Sequence, residues 1–176
     1  MELNKQLVLR AKNQDPEAFS MLYKDVYKEL YRFAYYTLQN QHDAEDAVSE
    51  AVLDAYRNIE KLRNPEAFKS WMFQIVSCKC KKKIKEYTKK CEEITENIPD
   101  RAYEPTDRTS VMQAMTVLSE EERLIVTMSV FGGYKGKEIS SILHKKHSTV
   151  RSKYRRALEK LKRTLGCERN ENGGLV

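Results

Sequence analysis

Glycine is scarce in this 176-residue chain: there are 6, and none precedes Gly132. β-Sandwiches and barrels spend glycines on tight turns, and a dinucleotide cradle spends them on phosphates, so neither fits the first three quarters of the chain. Proline is scarcer still, at 4. No apolar run approaches the ~18 residues of a membrane span. The opening Met1-Glu2-Leu3-Asn4-Lys5 lacks the basic-then-apolar layout of a secretory signal. The expectation is a cytoplasmic protein without membrane contact, whose 4 cysteines are reduced thiols rather than a disulfide frame. The 3 histidines, His42, His144 and His147, accompany no nucleophile. His144 and His147 with Cys167 match no zinc-ligand spacing. Cys78 and Cys80, two apart on a helix, point to different sides. No metal, cofactor or catalytic constellation is expected.

What is present is charge, unevenly placed. The formal net charge is +6. Residues 74–90 carry +6, residues 91–107 carry −5 and residues 145–163 carry +8. Two basic blocks flanking an acidic stretch are the electrostatic footprint of a polyanionic partner.

Apolar residues at helical spacing (Phe19, Leu22, Val26, Leu30, Phe33) predict a helix over 16–39, with Asp15 as N-cap and Pro16 just inside. Tyr23, Tyr27, Tyr31, Tyr35 and Tyr36 widen its face. The next helix, Asp43–Ile59, has a small-residue stripe of Ala44, Ala47, Val48, Ala51, Val52 and Ala55. Its other face holds Asp43, Glu45, Asp46, Glu50 and Asp54, an acidic surface suited to a basic partner. Asn64-Pro65 breaks the pattern. A third helix, about Glu66 to Lys90, begins with Phe68, Trp71 and Phe73 and ends in lysines. Rings that stack on bases, followed by ammonium groups for the phosphates, make a single-strand surface; its candidates are Phe68, Lys69, Trp71, Lys79, Lys81, Lys82, Lys83 and Lys85.

Residues 91–109, with Pro99, Pro105 and six acids, read as a linker. A short helix over 110–118 follows. Ser119 with Glu122 forms a capping box for a helix closed by Gly132-Gly133. Lys137–Leu143, a turn at 144–147 and a long basic helix from Ser148 then read as a helix-turn-helix. The last helix is expected to bury Val150, Tyr154, Ala157, Leu158, Leu161 and Leu165. Its entry places Lys145, Lys146, Ser148, Thr149, Arg151, Ser152, Lys153, Arg155 and Arg156 where a major groove would take them.

The fold class is therefore all-α: two small helical domains (1–90 and 110–166) joined by a flexible acidic linker (91–109), the second a helix-turn-helix, with a disordered tail at 167–176. Composition alone leaves alternatives open. A helix-turn-helix regulator that is not a polymerase subunit would use the second domain in the same way, although the first domain shows no ligand pocket or receiver motif. A nucleic-acid-processing enzyme would need clustered carboxylates in a cleft, whereas these acids lie opposite an apolar stripe. A protein-only adaptor has no use for the last helix's charge.

Several motifs in order carry a sharper reading. They are Leu30-Tyr31-Arg32-Phe33-Ala34, Asp43-Ala44-Glu45-Asp46-Ala47-Val48-Ser49-Glu50 and Phe68-Lys69-Ser70-Trp71-Met72-Phe73-Gln74-Ile75, then Leu118-Ser119-Glu120-Glu121-Glu122-Arg123, Gly133-Tyr134-Lys135-Gly136-Lys137-Glu138-Ile139 and Ser148-Thr149-Val150-Arg151-Ser152-Lys153-Tyr154-Arg155-Arg156-Ala157. With these the chain resembles the extracytoplasmic-function (ECF) group of sigma-70 family RNA polymerase sigma factors, over about residues 6–165. The resemblance implies a promoter-specificity subunit that is not itself an enzyme. It implies docking on the polymerase β′ clamp through Asp43, Glu45, Asp46, Ser49, Glu50, Asp54 and Arg57, and a contact with the β flap. It implies that the segment from Leu62 to Lys85 reads the minus-ten element and holds the opened strand, that the last helix reads the minus-thirty-five element in duplex, and that an anti-sigma factor restrains the chain, at the membrane in some systems. The chain departs from the family pattern at Cys78 (usually Asn), Lys82 (usually Asp), His144 (usually Gly) and Ser148 (usually Gly); the family's Gly at the first of the two turn positions implies a positive φ for His144.

Overall fold

The computed structural model describes residues 2–93 and 110–166. All regular structure in them is helical. Most of the expected linker (94–109) and the expected tail (167–176) lie outside the described residues. Residues 91–93 belong to the end of a helix.

The first helix, α1 (Glu2–Lys12), was not visible as a periodic segment; it buries Leu7, Val8 and Ala11 against α2. In α2 (Pro16–Leu38) the Asp15 carboxylate accepts from the Glu17 and Ala18 amides at 3.0 and 3.1 Å. Those amides and Arg10 hold it below the usual carboxylate range. The helix stops where Gln39 turns left-handed, at φ 59°. Asn40 then caps α3 (Gln41–Asn58) by accepting from the Asp43 amide. Ala44, Ala47, Ala51 and Ala55 have no exposed surface, so α2 and α4 both approach α3 closely. The Asn64-Pro65 break forms a 3₁₀ turn, Pro65–Ala67, and α4 (Phe68–Glu93) starts two residues later than the apolar pattern suggests.

In the second half α5 (Ser110–Met115) is shorter than expected. The Ser119–Glu122 capping box opens α6 (Glu120–Val130) as read from the sequence. Gly132 is required there: a Cβ would sit 2.7 Å from the Met128 carbonyl oxygen and from the Tyr134 ring. The helices α7 (Gly136–Leu143) and α8 (His147–Thr164) each begin one residue earlier than expected. Two expected core residues are corrected: Leu158 is 41% and Leu165 40% exposed. Successive positions on a helix differ by about 100°. With Ala157 fully buried, Leu158 turns away from the core.

Helix α6 joins the halves. Glu122 through Met128 are all buried, because α6 is packed by α8 on one side and by α2 and α4 on the other. Leu124, Ile125 and Met128 share one apolar cluster with Leu30, Phe33 and Phe73. The hydroxyls of Thr37 and Thr127 lie 2.7 Å apart, fully buried. The Arg123 guanidinium donates from Nε to the Thr37 carbonyl and from Nη1 to the Leu118 carbonyl. Tyr36 stacks on Phe131 with centroids 5.4 Å apart.

The close α3 contacts generate a prediction. Ala51→Leu overfills the site where α3 meets its neighbours, and overpacking costs about 1–3 kcal/mol. A drop in melting temperature of several degrees is expected, read by circular dichroism. An unchanged melt would mean that α3 is loosely held.

Candidate nucleic-acid interface

The helix-turn-helix is set by backbone chemistry. His144 caps α7 in the left-handed region (φ 52°, ψ 45°), its amide donating to the Ser140 and Ser141 carbonyls. That turn aims the N-terminus of α8 outward. Lys146, Ser148, Arg151, Ser152, Arg155 and Arg156 are exposed and Thr149 is half-buried. Two of the nine candidates are tied to Glu121 instead, Lys145 remaining exposed and Lys153 half-buried. Lys153 Nζ donates to Glu121 Oε2 at 2.6 Å, and Lys145 lies 3.4 Å from Glu121 Oε1. Further along α8, Lys160 bonds both oxygens of buried Glu122 at 2.8 and 3.1 Å. The outward cations of this face are thus mostly arginines, Arg155 also lying 3.9 Å from Glu159 one turn along. Glu121 was read only as part of a capping stretch; its role as a lysine anchor depends on the α6–α8 register.

The same division runs through the first half. Lys79 pairs with Asp54 at 2.6 Å and Glu50 at 3.2 Å, and Lys83 with Asp46 at 3.3 Å and Asp43 at 3.5 Å. The hydrogen bond and the charge of Lys79 hold the Asp54 carboxyl below the usual range. So the acidic face of α3 and the lysine run of α4, read separately from the sequence, meet each other. Tyr87 also donates to Asp43. Asp46 and Glu50 still keep side-chain exposures of 67% and 49%. Glu45, Ser49 and Arg57 are exposed. Lys69 pairs with Glu29 at 2.7 Å, Lys82 with Glu86 at 3.7 Å, and Lys81 donates to the Leu143 carbonyl. Lys85 is exposed. Phe68 is buried, edge-on to Phe19 and beside Trp71, so it supports the site from the core and offers no face to a base.

Half-buried Trp71 opens onto a cleft that also exposes Arg63, Asn64 and Gln74. The second half closes its rim: Tyr134 and Glu138 line the cleft, and the Tyr134 hydroxyl donates to the Ser70 carbonyl at 2.6 Å. Burial, with Glu138 adding to it, pushes the Tyr134 phenol well above its usual range. Arg63, Asn64, Gln74 and Tyr134 have no periodicity signal, because the cleft forms where a break meets a distant turn. Cys78 is exposed and Cys80 buried, on different sides of α4 as expected; burial pushes the Cys80 thiol far up. Among the described residues no group of three His, Cys, Asp or Glu could hold a metal ion, and no helix is long and apolar enough to cross a membrane.

This is a class of protein that couples a helix-turn-helix to a helical unit with an aromatic, basic cleft. Residues 22–89 match the family described as Sigma-70 region 2, and residues 108–161 match Sigma-70, region 4. The chain belongs to the sigma-70 family of RNA polymerase sigma factors, in its ECF group. It is 29% identical over 156 residues to the ECF RNA polymerase sigma factor SigM of Mycobacterium tuberculosis, covering 86% of this chain and 79% of that one. It is 29% identical over 138 residues to the RNA polymerase sigma factor SigV of Bacillus subtilis, covering 75% and 81%. The fold is similar to the sigma factor RpoE of Bartonella quintana solved with the anti-sigma factor NepR (TM-score 0.67, 19% identity, 86% and 98% covered). It is also similar to CnrH solved with the cytosolic domain of CnrY (TM-score 0.63, 16% identity, 94% and 99% covered).

The α6 carboxylates generate a pH prediction. Burial pushes Glu121 and Glu122 up, but Lys153 and Lys145 on the first, and Lys160 with the Ser119 amide on the second, bring both below the usual glutamate value of 4.5. A group lowered in the folded state contributes stability above its unfolded value, and that contribution is lost as pH falls through its folded value. The melting-temperature gap between the parent and the Glu121→Gln, Glu122→Gln variant should be widest near about pH 7 and narrow toward about pH 3. A gap that does not change with pH would refute the ion-pair assignment.

Proposed function

We propose that this chain works in the cytoplasm as the promoter-specificity subunit of RNA polymerase and performs no catalytic step itself. Residues 1–90 dock on the core enzyme and take the minus-ten element, and residues 110–166 take the minus-thirty-five element. The observation that carries this reading is the match to both sigma-70 regions in order, together with an α8 whose outer face is open at Arg151, Arg155 and Arg156. The regulator alternative has no use for the first match.

Arginine suits the base-reading role: its planar fork reaches two acceptors of guanine in the major groove. Lys145 and Lys153, tied to Glu121, serve the groove by keeping α8 in place and by adding positive potential. Asp46, Ser49, Glu50 and Glu45 on the outer side of α3 form the proposed surface for the β′ clamp, with Asp43, Asp54 and Arg57 at its border. For the opened strand, Trp71 supplies the ring, and Lys69, Lys81, Lys82 and Lys85 supply charge beside it. Lys79 and Lys83 hold α4 to α3. Opened DNA would have to displace Tyr134 from the rim of the cleft. An anti-sigma protein is proposed as a regulator because the similar RpoE was solved with the anti-sigma factor NepR. The β flap is the proposed contact of the second half.

Run-off transcription with bacterial core polymerase on genomic fragments, with and without the chain, tests this. Discrete new transcripts are expected; their absence alongside salt-sensitive duplex binding would favour a regulator. Arg151→Ala and Arg155→Ala should each weaken promoter binding by about 1–3 kcal/mol where the side chain pairs with guanine. Parent-like binding by both would remove α8 from the groove. Asp46→Lys with Glu50→Lys should reduce capture of core polymerase in a pull-down while the circular dichroism spectrum stays helical. Undiminished capture would move docking off α3.

A further inference from the structure

The outer face of α2 is used by neither role assigned above, and its composition is unusual for a solvent-facing helix. Tyr23, Tyr27, Tyr31 and Tyr35 follow one another at i, i+4, with ring centroids 5.5, 6.2 and 5.9 Å apart. Tyr27 is 42% exposed, and the other three are half-buried. None of these four hydroxyls has a hydrogen-bond partner among the described residues. Beside the rings runs a second row, Lys24, Lys28 and Arg32, all exposed. None of the three is in an ion pair among the described residues, whereas Lys69, Lys79, Lys83, Lys153 and Lys160 all are. Glu29, the acid nearest in sequence on the α4 side, is taken by Lys69. Asp25 and Glu45 border the strip.

Both rows repeat every four residues, which on an α-helix is about 6 Å. A ring row and a cation row in parallel, at one spacing, are complementary to a polymer with one base and one negative charge per repeat. Only unpaired bases offer their faces to such rings, so a duplex does not fit. A membrane surface fits less well, because an interfacial helix must present its apolar side, and that side of α2 is spent in the core. The helix α4 packs on α2 as well, but no residue of α2 lines the Trp71 cleft. We propose that the Tyr27–Tyr31–Tyr35 row with Lys24, Lys28 and Arg32 binds single-stranded nucleic acid, as a strip separate from the Trp71 cleft.

The test uses the full chain and a fluorescein-labelled oligothymidine of about 15 nucleotides, read by anisotropy across a salt series. Tyr27→Ala should weaken binding roughly five- to 150-fold, the range of one lost base stack, and Tyr27→Phe should bind like the parent. Replacing Lys24, Lys28 and Arg32 by Gln should reduce the slope of log affinity against log salt by about 2, at about 0.7 per single-strand phosphate contact. These cations are exposed, so this variant keeps the proposal falsifiable if Tyr27→Ala unfolds. Both measurements are repeated in a Trp71→Ala chain: a persisting Tyr27 effect separates the strip from the cleft, and a vanished one overturns the separate site. Parent-like affinity and slope in the Gln variant overturn the proposal. So does binding of phosphatidylserine vesicles without binding of the oligomer.

Discussion

Four alanines without exposed surface bring α3 close to its neighbours, and the charge layout of the first half follows from that contact. At this distance the lysines of α4 reach the carboxylates of α3, so Lys79 and Lys83 become structural cations. Had the stripe carried leucines, the helices would stand further apart and both rows would face water. The same division operates on α8, where Glu121 and Glu122 hold Lys153 and Lys160. Lysine, with a flexible stem and a compact charge, is spent on internal ties. Arginine, whose fork can pair with two acceptors, is left outward at 151, 155 and 156. The net charge of +6 therefore overstates the number of cations open to a polyanion on α4 and understates how selectively those on α8 are displayed.

Much of the fold was legible because its signals are local. Asp15, Asn40 and Ser119 cap their helices through side chains two or three residues away, and Gly132-Gly133 closes α6 by a requirement of a few atoms. The helix-turn-helix could be read for the same reason, and the family's Gly at the position of His144 pointed to its positive φ. What could not be read depends on register between distant segments. The lysine run of α4 looked like one surface, but helical rotation sends Lys79 and Lys83 toward α3 and leaves Lys82 and Lys85 outside. Phe68 carries the right chemistry for a base and is consumed by Phe19. Leu158 follows the apolar pattern of α8, yet sits one position beyond the contact line. Helix α1 escaped notice because its three buried residues are too few to establish a period.

The two halves meet through a shared apolar cluster centred on α6, so the parts proposed to read separate DNA elements are in contact. The cleft around Trp71 lies at that seam. Its accessibility and the relative placement of the halves are one variable: a chain that keeps Tyr134 on the Ser70 carbonyl keeps the cleft rimmed.

The buried threonine pair decides what kind of seam this is. Each hydroxyl also lies within bonding distance of its own helix, Thr37 at the Phe33 carbonyl and Thr127 at the Arg123 carbonyl. Were the halves to part, neither hydroxyl would be stranded: each would turn back to its own backbone, and Arg123 would keep its bond to the Leu118 carbonyl. Other polar links between the described halves are Tyr134 to the Ser70 carbonyl, Lys81 to the Leu143 carbonyl and the buried Gln39 amide to the Met112 sulfur, and water could take up each of these groups once the halves part. Separation would then be resisted mainly by apolar contact, which is short-ranged and non-directional. Such a joint behaves as a clasp rather than a weld: it holds register while closed, and it releases without leaving unpaired polar groups behind.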